Sequence, residues 1–363
     1  NGDWSSDVCS SDLSGKISNR KKTAPQTPQP AKQVNTGSKW TDLSVRFISA
    51  LVLGLIEVVV FCCGKDAIFY EILAIQFIAV YEFMRVGRIP QQEKVLPFYF
   101  KVFPYLLAFL TSYSISGKYI LDKYISKCTY LIKYNSIICF GIGSLLLVIF
   151  VIKLNPTNMS YAYNRLSWSI IASLILVVPV NFYARVPRVS IFWFLMAAFY
   201  IILNDTLAYF FGRMFGRTPL IALSPKKTVE GFVGALIAGI IISYFIPIAI
   251  SKVPFLYCHD VKPFKFDVSC KIPKEFQTKK YVIAGMEFEI KPVQIHSIVF
   301  SLFSSLIAPF GGFLGSGLKR IYGIKDFGKC IPGHGGILDR VDCQFVMGIF
   351  AYIYIKNFRS EER

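Results

Sequence analysis

The stretch FVGALIAGIIISYFIPIAI, from Phe232 to Ile250, runs for nineteen residues without a charged side chain. A helix of about 20 apolar residues crosses the hydrocarbon core of a bilayer, so this stretch predicts a transmembrane helix. The whole chain is 54% hydrophobic and only 17% charged. So little polar surface cannot cover a water-soluble globule of this length. The composition therefore predicts an integral membrane protein.

Eight further apolar runs extend this pattern, and together they predict an all-α polytopic membrane fold. The nine predicted crossings are residues 47–63, 67–83, 102–115, 136–152, 166–183, 191–211, 232–250, 295–314 and 341–355. The third and the last are short for a bilayer, so eight to ten helices is the predicted range.

Polar stretches divide the chain into a tail, a membrane domain and an insertion. Residues 1–40 are rich in Ser, Thr, Gln, Pro and Lys, which predicts a disordered tail. Its first thirteen residues do not match the lysine-rich run that follows, and they are interpreted as a cloning or assembly artefact. Residues 41–355 are predicted to form a transmembrane catalytic domain with 251–294 as a polar loop insertion, and 356–363 a C-terminal tail.

The nine cysteines include no C-x-x-C pair, so their spacing predicts neither a zinc site nor a disulfide framework. Most are interpreted as small apolar residues. Cys258 and Cys270 lie in one polar loop, and we expect them to pair if that loop is lumenal, where the environment is oxidising.

Charge distribution predicts which polar segments share a face of the membrane. The net charge of +18 includes many lysines and arginines before the first apolar run, which places the N-terminus in the cytosol. The basic loop 117–135 falls on the opposite face, so the rule that positive charges lie on the cytosolic side is obeyed only in part. Residues 204–230 and 315–342 are separated by an even number of crossings. We therefore expect both on one face, the cytosolic one, where they can form one site.

The first of these segments combines a carboxylate at membrane depth with two adjacent lysines. An ionised Asp205, next to Asn204, costs roughly 2.5 to 3.5 kcal/mol there, which favours a bound cation or an arginine partner. Ser224, Lys226 and Lys227 precede the apolar helix at 232–250. Two lysines at the positive end of a helix dipole are unfavourable unless an anion binds there, so the pattern indicates phosphate binding. Helix capping and snorkelling of the lysines to the head groups are the alternatives.

The second segment, GSGLKRIYGIKDFGKCIPGHGGILDRVD, brings both signs of charge together. Because Mg2+ binds one or two carboxylates and completes its shell with phosphate oxygens, this mixture predicts a metal-assisted phosphate site. Asp339 and Asp342 are three residues apart, so they share one face of a helix. The cations are Lys319, Arg320, Lys325, Lys329 and Arg340, and the third acid is Asp326.

Glycines around one histidine complete this segment. Gly333, Gly335 and Gly336 let the backbone approach a ligand and expose its N–H groups. His334 is a candidate donor to a phosphate or a leaving group, with a structural histidine as the alternative. Neither a P-loop nor a kinase motif set occurs, so the residues alone name no nucleotide. They predict a cytosol-facing, metal-assisted site for a multiply phosphorylated ligand, and the membrane setting suggests a lipid phosphate.

At this level of detail the segment resembles a known signature. The matching residues are Ser316, Lys319, Arg320, Lys325, Asp326, the run Pro332 to Gly336, Asp339, Arg340 and Asp342. They are similar to the signature of the CTP:phosphatidate cytidylyltransferases, also called CDP-diacylglycerol synthases. GRTPLIALSPKKTVEGF and QIHSIVFSLFSSLIAPFGGF resemble the eukaryotic branch. The resemblance runs from about residue 43 to the C-terminus and is weakest in 251–294.

The resemblance implies that CTP and phosphatidate give CDP-diacylglycerol and pyrophosphate at a Mg2+-dependent site, with a second, monovalent cation such as K+ as an option. It also implies an endoplasmic reticulum membrane with the site facing the cytosol. A homodimer is a further option, and no nucleic-acid partner is expected. A CTP-dependent lipid kinase of the dolichol type and an organic-anion or lipid transporter are the alternatives.

Residue roles follow from the pattern and the resemblance together. The metal is expected on Asp339 and Asp342, which match the D-R-x-D aspartates of the family. Bacterial members carry an aspartate where this chain has Gly312, and our hypothesis is that Asp205 supplies the missing carboxylate. The predicted catalytic residues are Lys226, Lys227, Lys319, Arg320, His334 and Arg340, and the predicted substrate-binding residues are Asn204, Ser224, Lys325, Gly333, Gly335 and Gly336.

Overall fold

The computed structural model describes residues 39–125, 127, 129–258, 270–283 and 286–360. Nearly all of the predicted tail at 1–40, including its first thirteen residues, lies outside these ranges. The described helices are α1 Lys39–Cys63, α2 Lys65–Val86, α3 Pro90–Val95, α4 Phe98–Tyr124, α5 Thr129–Ile152, α6 Met159–Ala172, α7 Val178–Tyr183, α8 Val186–Val189, α9 Ile191–Phe215, α10 Val229–Ile250, α11 Pro254–Tyr257, α12 Pro292–Leu306, α13 Pro309–Ile321 and α14 Leu338–Ser360.

Short non-α elements occur within and between the helices. A π-helical segment, Ser173–Val177, joins α6 to α7, and a single 3-10 turn spans Lys274–Phe276. The strands β1 Lys279–Ile283 and β2 Met286–Ile290 form an antiparallel hairpin, in which Lys279 lies opposite Ile290. This hairpin is the sheet structure of the described residues, so the prediction of an all-α fold is confirmed in its essentials.

Seven helical stretches among the described residues are long and apolar enough to cross a membrane. They are Ser44–Cys63, Lys65–Val86, Thr129–Ile152, Met159–Val189, Ile191–Phe215, Val229–Ile250 and Pro292–Ile321. The other two predicted crossings, 102–115 and 341–355, are also helical, within α4 and α14. These two helices are more polar, since α4 is rich in Ser and Tyr and α14 starts with three charged residues in its first five. The polytopic prediction is confirmed, with seven qualifying stretches instead of nine.

The buried core lies where α2, α9, α12 and α14 meet the π-helical segment. Phe69, Val177, Phe192, Phe300 and Met347 come from these five elements, and each is fully buried. Outside this core, many large apolar side chains are exposed, as expected for surfaces that face lipid tails instead of water. The described part of the chain therefore has the pattern of a membrane protein, apolar both inside and outside.

Close contact between α9 and α10 positions one side of the site. A Cβ placed on Gly231 would lie 2.6 Å from the carbonyl oxygen of Ala208 and 2.9 Å from Cα of Gly212. Only glycine allows this approach, because any side chain would collide with backbone. The first turn of α10 is thereby held against the last turns of α9.

The 251–294 insertion is attached at the other end of α10. Cys258 and Cys270 form a disulfide, as predicted, and the β1–β2 hairpin follows it. A helix of 22 residues is about 33 Å long, so the disulfide lies roughly a bilayer thickness away from the first turn of α10. At the C-terminus α14 continues to Ser360, so the predicted tail at 356–363 starts inside a helix.

We predict that Gly231→Ala destabilises the protein. The new methyl group overlaps the α9 backbone, and overpacking of this kind typically costs about 1–3 kcal/mol. A thermal unfolding scan in detergent should show a midpoint several degrees lower. Gly54→Ala is the matched control, since a Cβ at Gly54 would meet nothing within 4 Å. Equal midpoints for the two variants would contradict the role of this contact.

Candidate active site

The two motif-dense segments meet in the structure. Nζ of Lys227 lies 5.0 Å from the ring centroid of Phe313, in α13. A Cβ on Gly317, also in α13, would lie 3.5 Å from the Leu223 side chain. The loop before α10 therefore packs against α13, directly before the 322–342 region. The prediction that both segments share one face is confirmed.

Residues around the start of α10 form hydrogen bonds within the protein. Thr228 accepts a hydrogen bond from the Gly231 N–H at 3.2 Å, which is the capping alternative considered for this stretch. Glu230 accepts the N–H groups of Arg217 and Thr218. Some of the free backbone donors expected to bind phosphate here are therefore already used by the protein. The cationic side chains, and not the helix start, remain available for an anion.

Asp205 and Lys227 form an ion pair at this side of the site. Asp205 Oδ1 lies 3.7 Å from Nζ of Lys227, and the two side chains are 52% and 40% exposed. Asn204, the preceding residue, is buried, and its Oδ1 has no hydrogen-bond partner among the described residues. A buried acceptor without a donor is rare in folded proteins, so Asn204 can still accept a bond from a ligand or water.

Asp339 is the most heavily bonded carboxylate of the site. Oδ1 lies 2.6 Å from Nζ of Lys319, and the pair is largely buried, with the Lys319 side chain 16% exposed and that of Asp339 6%. Oδ2 accepts the N–H of Phe327 at 2.8 Å and that of Gly336 at 3.2 Å. One side chain thus joins α13, the 322–337 loop and the first turn of α14. Metal binding by Asp339, which stays a prediction, would have to compete with the bond to Lys319.

The glycine loop is a tight turn. Gly333 and Gly335 have φ of 73° and 90°, a region that side chains other than glycine rarely adopt. Hydrogen bonds between Ile331 and Gly335 close the turn in both directions. A Cβ on Gly336 would lie 2.6 Å from Oε2 of Glu82. The backbone here is therefore fixed by requirements that only glycine meets.

His334 and Arg340 contact protein groups in this arrangement. Nδ1 of His334 is 2.9 Å from Oγ of Ser49, in α1, so this ring nitrogen is turned toward the first helix. Arg340 donates two hydrogen bonds to the backbone oxygen of His334, at 3.2 and 2.5 Å. Arg340 nevertheless stays exposed. The contacts of His334 fit the structural alternative, while its Nε2 remains free to contribute to catalysis.

Asp342 faces the position where the resemblance indicated a missing acid. A Cβ on Gly312 would lie 3.5 Å from Oδ2 of Asp342, so a side chain there would point at this carboxylate. The Cys343 thiol lies 3.1 Å from the same Cβ position. Asp205 is linked to the same helix through Lys227, its ion-pair partner, which lies beside Phe313.

The described carboxylates of the site do not form a closed metal cage. In the described ranges, no group of three or more His, Cys, Asp or Glu side chains converges on one point. The predicted trio of Asp205, Asp339 and Asp342 is thus not a preformed cage, because Asp339 is turned to Lys319. Two carboxylates are sufficient for Mg2+, which takes its other ligands from water and substrate phosphates. Asp342 and Asp205 fit that requirement.

The remaining predicted residues lie around the opening of the site. Lys226, Arg320 and Lys325 are exposed, and none forms an ion pair within the described part of the chain. Ser224 is half-buried in the loop before α10, where its backbone oxygen accepts the N–H of Lys227. Three unpaired cations near two carboxylates suit a ligand with several negative charges.

One buried residue of this region is not among the site residues predicted from the sequence. Glu82, in α2, is 2% exposed and accepts the N–H groups of Ile337 and Leu338. The available signal was its place in an apolar helix, where an ionisable residue is costly and marks a functional site by default. The sequence does not show which residues it contacts, since Ile337 lies 255 positions after Glu82.

Comparison with known proteins identifies the family of this chain. Residues 44–358 match the profile described as the cytidylyltransferase family, a range that includes both segments of the site. The chain belongs to the cytidylyltransferase family. Within this family, Phosphatidate cytidylyltransferase 1 of Arabidopsis thaliana is 35% identical over 350 residues, covering 90% of this chain and 81% of the relative.

Two further cytidylyltransferases show similar coverage. Phosphatidate cytidylyltransferase 1 of Homo sapiens is 32% identical, over 92% of this chain and 76% of its own length. The putative phosphatidate cytidylyltransferase of Schizosaccharomyces pombe is also 32% identical, over 92% of this chain and 78% of its own. Family membership confirms the predicted enzyme class, a membrane-bound nucleotidyltransferase.

We predict that Lys319→Ala impairs both stability and activity, because it leaves Asp339 buried without its cation. Breaking one side of a buried pair typically costs about 3 to 5 kcal/mol. Thermal unfolding in detergent should show a markedly lower midpoint. Lys280→Ala is the control: it breaks an exposed pair with Glu287, and such pairs are worth about 0 to 1 kcal/mol. A midpoint for Lys319→Ala as high as that of the control would mean that the pair is not needed.

Proposed function

We propose that this protein transfers the cytidylyl group of CTP to phosphatidate, giving CDP-diacylglycerol and pyrophosphate. The observation that supports this most strongly is the meeting of Lys227 and Asp205 with α13 and Asp342 at one end of the membrane helices. Carboxylates for a metal and cations for phosphates are thereby brought to one place. The relatives that match most of this chain are named phosphatidate cytidylyltransferases.

In the reaction, a phosphate oxygen of phosphatidate attacks the α-phosphorus of CTP. The bond from this phosphorus to the oxygen bridging the β-phosphate breaks, and its electron pair leaves with pyrophosphate. Such transfers depend on alignment and charge neutralisation more than on covalent help. Lys226, Arg320 and Lys325 are free to hold phosphate oxygens of the two anionic substrates. Lys319 neutralises Asp339 and so reduces its repulsion toward them.

Mg2+ is proposed to bind Asp342, which faces Gly312, and Asp205, which pairs with Lys227. Bound Mg2+ would supply neutralisation of phosphate charge and alignment of the reacting groups. Asp339 holds Lys319 and the glycine loop in the state described. A second, monovalent cation and a homodimer remain predictions to which no described contact is assigned.

The surroundings of Asp342 favour a lipid substrate. Gly312 and Gly315, in α13, face this carboxylate, while Phe310 and Leu314 of the same helix are 55% and 60% exposed. A phosphatidate whose acyl chains lie along those apolar residues would place its phosphate beside the carboxylate. The substrate can thus enter sideways from the bilayer.

A cytosolic site in the endoplasmic reticulum membrane is proposed on two grounds. The N-terminal positive charges favour a cytosolic N-terminus. The Cys258–Cys270 disulfide, at the end of α10 opposite the site, suits an oxidising lumen, and the site would then face the cytosol.

The lipid kinase and the transporter are less favoured, because the matched relatives are named for cytidylyl transfer. Purified protein with phosphatidate, Mg2+ and CTP labelled at the α-phosphate should give labelled lipid. The same reaction with CTP labelled at the γ-phosphate should not. Label from the γ-phosphate in the lipid would replace our proposal by the kinase.

We predict that Asp342→Asn lowers turnover by roughly 100-fold or more, since it removes a carboxylate proposed to hold the metal. Asp205→Ala should raise the Mg2+ concentration needed for half-maximal rate. Asp122→Asn, an exposed residue of α4, is the control for loss of one carboxylate. Wild-type turnover in Asp342→Asn, or wild-type Mg2+ dependence in Asp205→Ala, would remove that residue from the metal site.

The orientation is tested by labelling in sealed microsomes. Cys330 is exposed in the 322–337 loop, so a membrane-impermeant maleimide should label it without permeabilisation. Cys330→Ser identifies the labelled position. Labelling of Cys330 only after the membrane is opened would place the site in the lumen.

A further inference from the structure

Glu82 places a negative charge inside the membrane domain, next to the active-site loop. It lies in the last two turns of α2 and is 2% exposed. Oε1 accepts the N–H of Ile337 at 3.2 Å, and Oε2 accepts that of Leu338 at 2.8 Å. No lysine or arginine within the described ranges forms a salt bridge with it. The N–H groups at the start of α14 therefore provide its stabilisation.

This arrangement decides where a substrate anion can bind. The first N–H groups of a helix lack partners in the helix, and the helix dipole makes its start attractive to anions. Such a helix start is a ready phosphate site. At α14 the Glu82 carboxylate occupies it. Substrate phosphates must then bind to the lysine and arginine side chains across the site.

Two glycines provide the space for this carboxylate. A Cβ on Gly328 would overlap Oε1 of Glu82, and the three atoms nearest to it all belong to the Glu82 side chain. On the other side, a Cβ on Gly336 would lie 2.6 Å from Oε2. Glu82 thus fits between two points of the loop that is closed by the Ile331–Gly335 turn.

The backbone that Glu82 contacts is also hydrogen-bonded to Asp339. Gly336 donates its N–H to Oδ2 of Asp339, and Asp339 binds Lys319 at 2.6 Å. The two amides that Glu82 accepts directly follow Gly336 in the chain. A shift of this backbone would therefore move the Asp339–Lys319 pair.

We propose that Glu82 is a positioning residue, which clamps the glycine loop to the start of α14 and so sets the geometry of Asp339 and Lys319. It does not touch substrate. The inference rests on the proposed function only in that the clamped residues belong to the proposed active site.

The first test is Glu82→Gln, compared with Glu71→Gln. The glutamine amide keeps the shape of the side chain, but its NH2 group replaces one of the two acceptor oxygens. That NH2 group then faces a backbone N–H, and the two donors repel each other. Because small displacements of catalytic groups can cost about 100-fold in rate, kcat/KM should fall by about 10- to 100-fold. Glu71→Gln makes the same change at another carboxyl group of α2 and should keep wild-type kcat/KM. The thermal midpoints of the two variants should be similar, which separates positioning from folding.

The second test uses the overlap at Gly328. Gly328→Ala should lower kcat/KM as much as Glu82→Ala does, since each displaces the clamp. The double variant should be no worse than Glu82→Ala alone, because the overlap disappears with the carboxylate. Wild-type kcat/KM in Glu82→Gln would overturn the proposal. The proposal would also be overturned if Gly328→Ala lowered kcat/KM by the same factor in the wild-type protein and in Glu82→Ala.

A third measurement does not depend on enzyme activity. A hydrogen bond to Glu82, together with burial, raises the pKa of the Cys330 thiol. Glu82→Gln should lower this pKa toward its usual value, increase the thiolate fraction at neutral pH and so speed alkylation of Cys330. Asp342→Asn should leave the alkylation rate unchanged. If the wild type made no CDP-diacylglycerol, the proposed function would fail, while faster alkylation would still support the clamp and an unchanged rate would overturn it.

Discussion

The ion pair between Lys319 and Asp339 ties the end of α13 to the beginning of α14. A charge at the boundary of a bilayer is costly unless the protein supplies a partner, and here each of the two charges supplies the other. Oδ2 of Asp339 also holds two backbone amides, so the loop between the helices is fixed by the same group. Several lysines and aspartates lie close together in this region, where like charges repel one another and opposite charges attract. This pair allows them to coexist at short range.

Close backbone contact is the second requirement of the site. Gly231 lets α10 touch α9, and Gly312 and Gly315 let α13 approach Asp342. The helices therefore meet without intervening side chains at the places where the two segments converge. A membrane protein has little hydrophobic driving force between its helices, so packing through small residues is a main source of their association. The site lies next to such close contacts, at Gly231 and at Gly312.

The sequence predicted much of this from local patterns. Apolar runs located the helices, and counting crossings placed Lys227 and Asp342 on one face, because both properties depend on short stretches of chain. The Cys258–Cys270 pairing followed from two cysteines in one polar loop. Seven of the described apolar stretches also meet the limits of length and hydropathy for a crossing, and the more polar helices α4 and α14 lie at the other two predicted positions.

Side-chain partners were less predictable. Nothing local shows that Asp339 turns to Lys319, that His334 contacts α1 through Ser49, or that Glu82 reaches a loop 255 positions away. These contacts depend on how helices distant in sequence are arranged. The metal assignment, which stays a prediction, depends on the same information, because a shared helix face for Asp339 and Asp342 does not say which other groups each one meets.

The glycine loop also restricts how this enzyme can diversify. Its backbone angles at Gly333 and Gly335 exclude other residues, and Glu82 fills the space beside Gly328 and Gly336. Point substitutions there have almost no tolerated alternatives. Adaptation to membranes of different fatty-acid composition would then fall to the lipid-facing surface of α13, where side chains can change size without disturbing the chemistry.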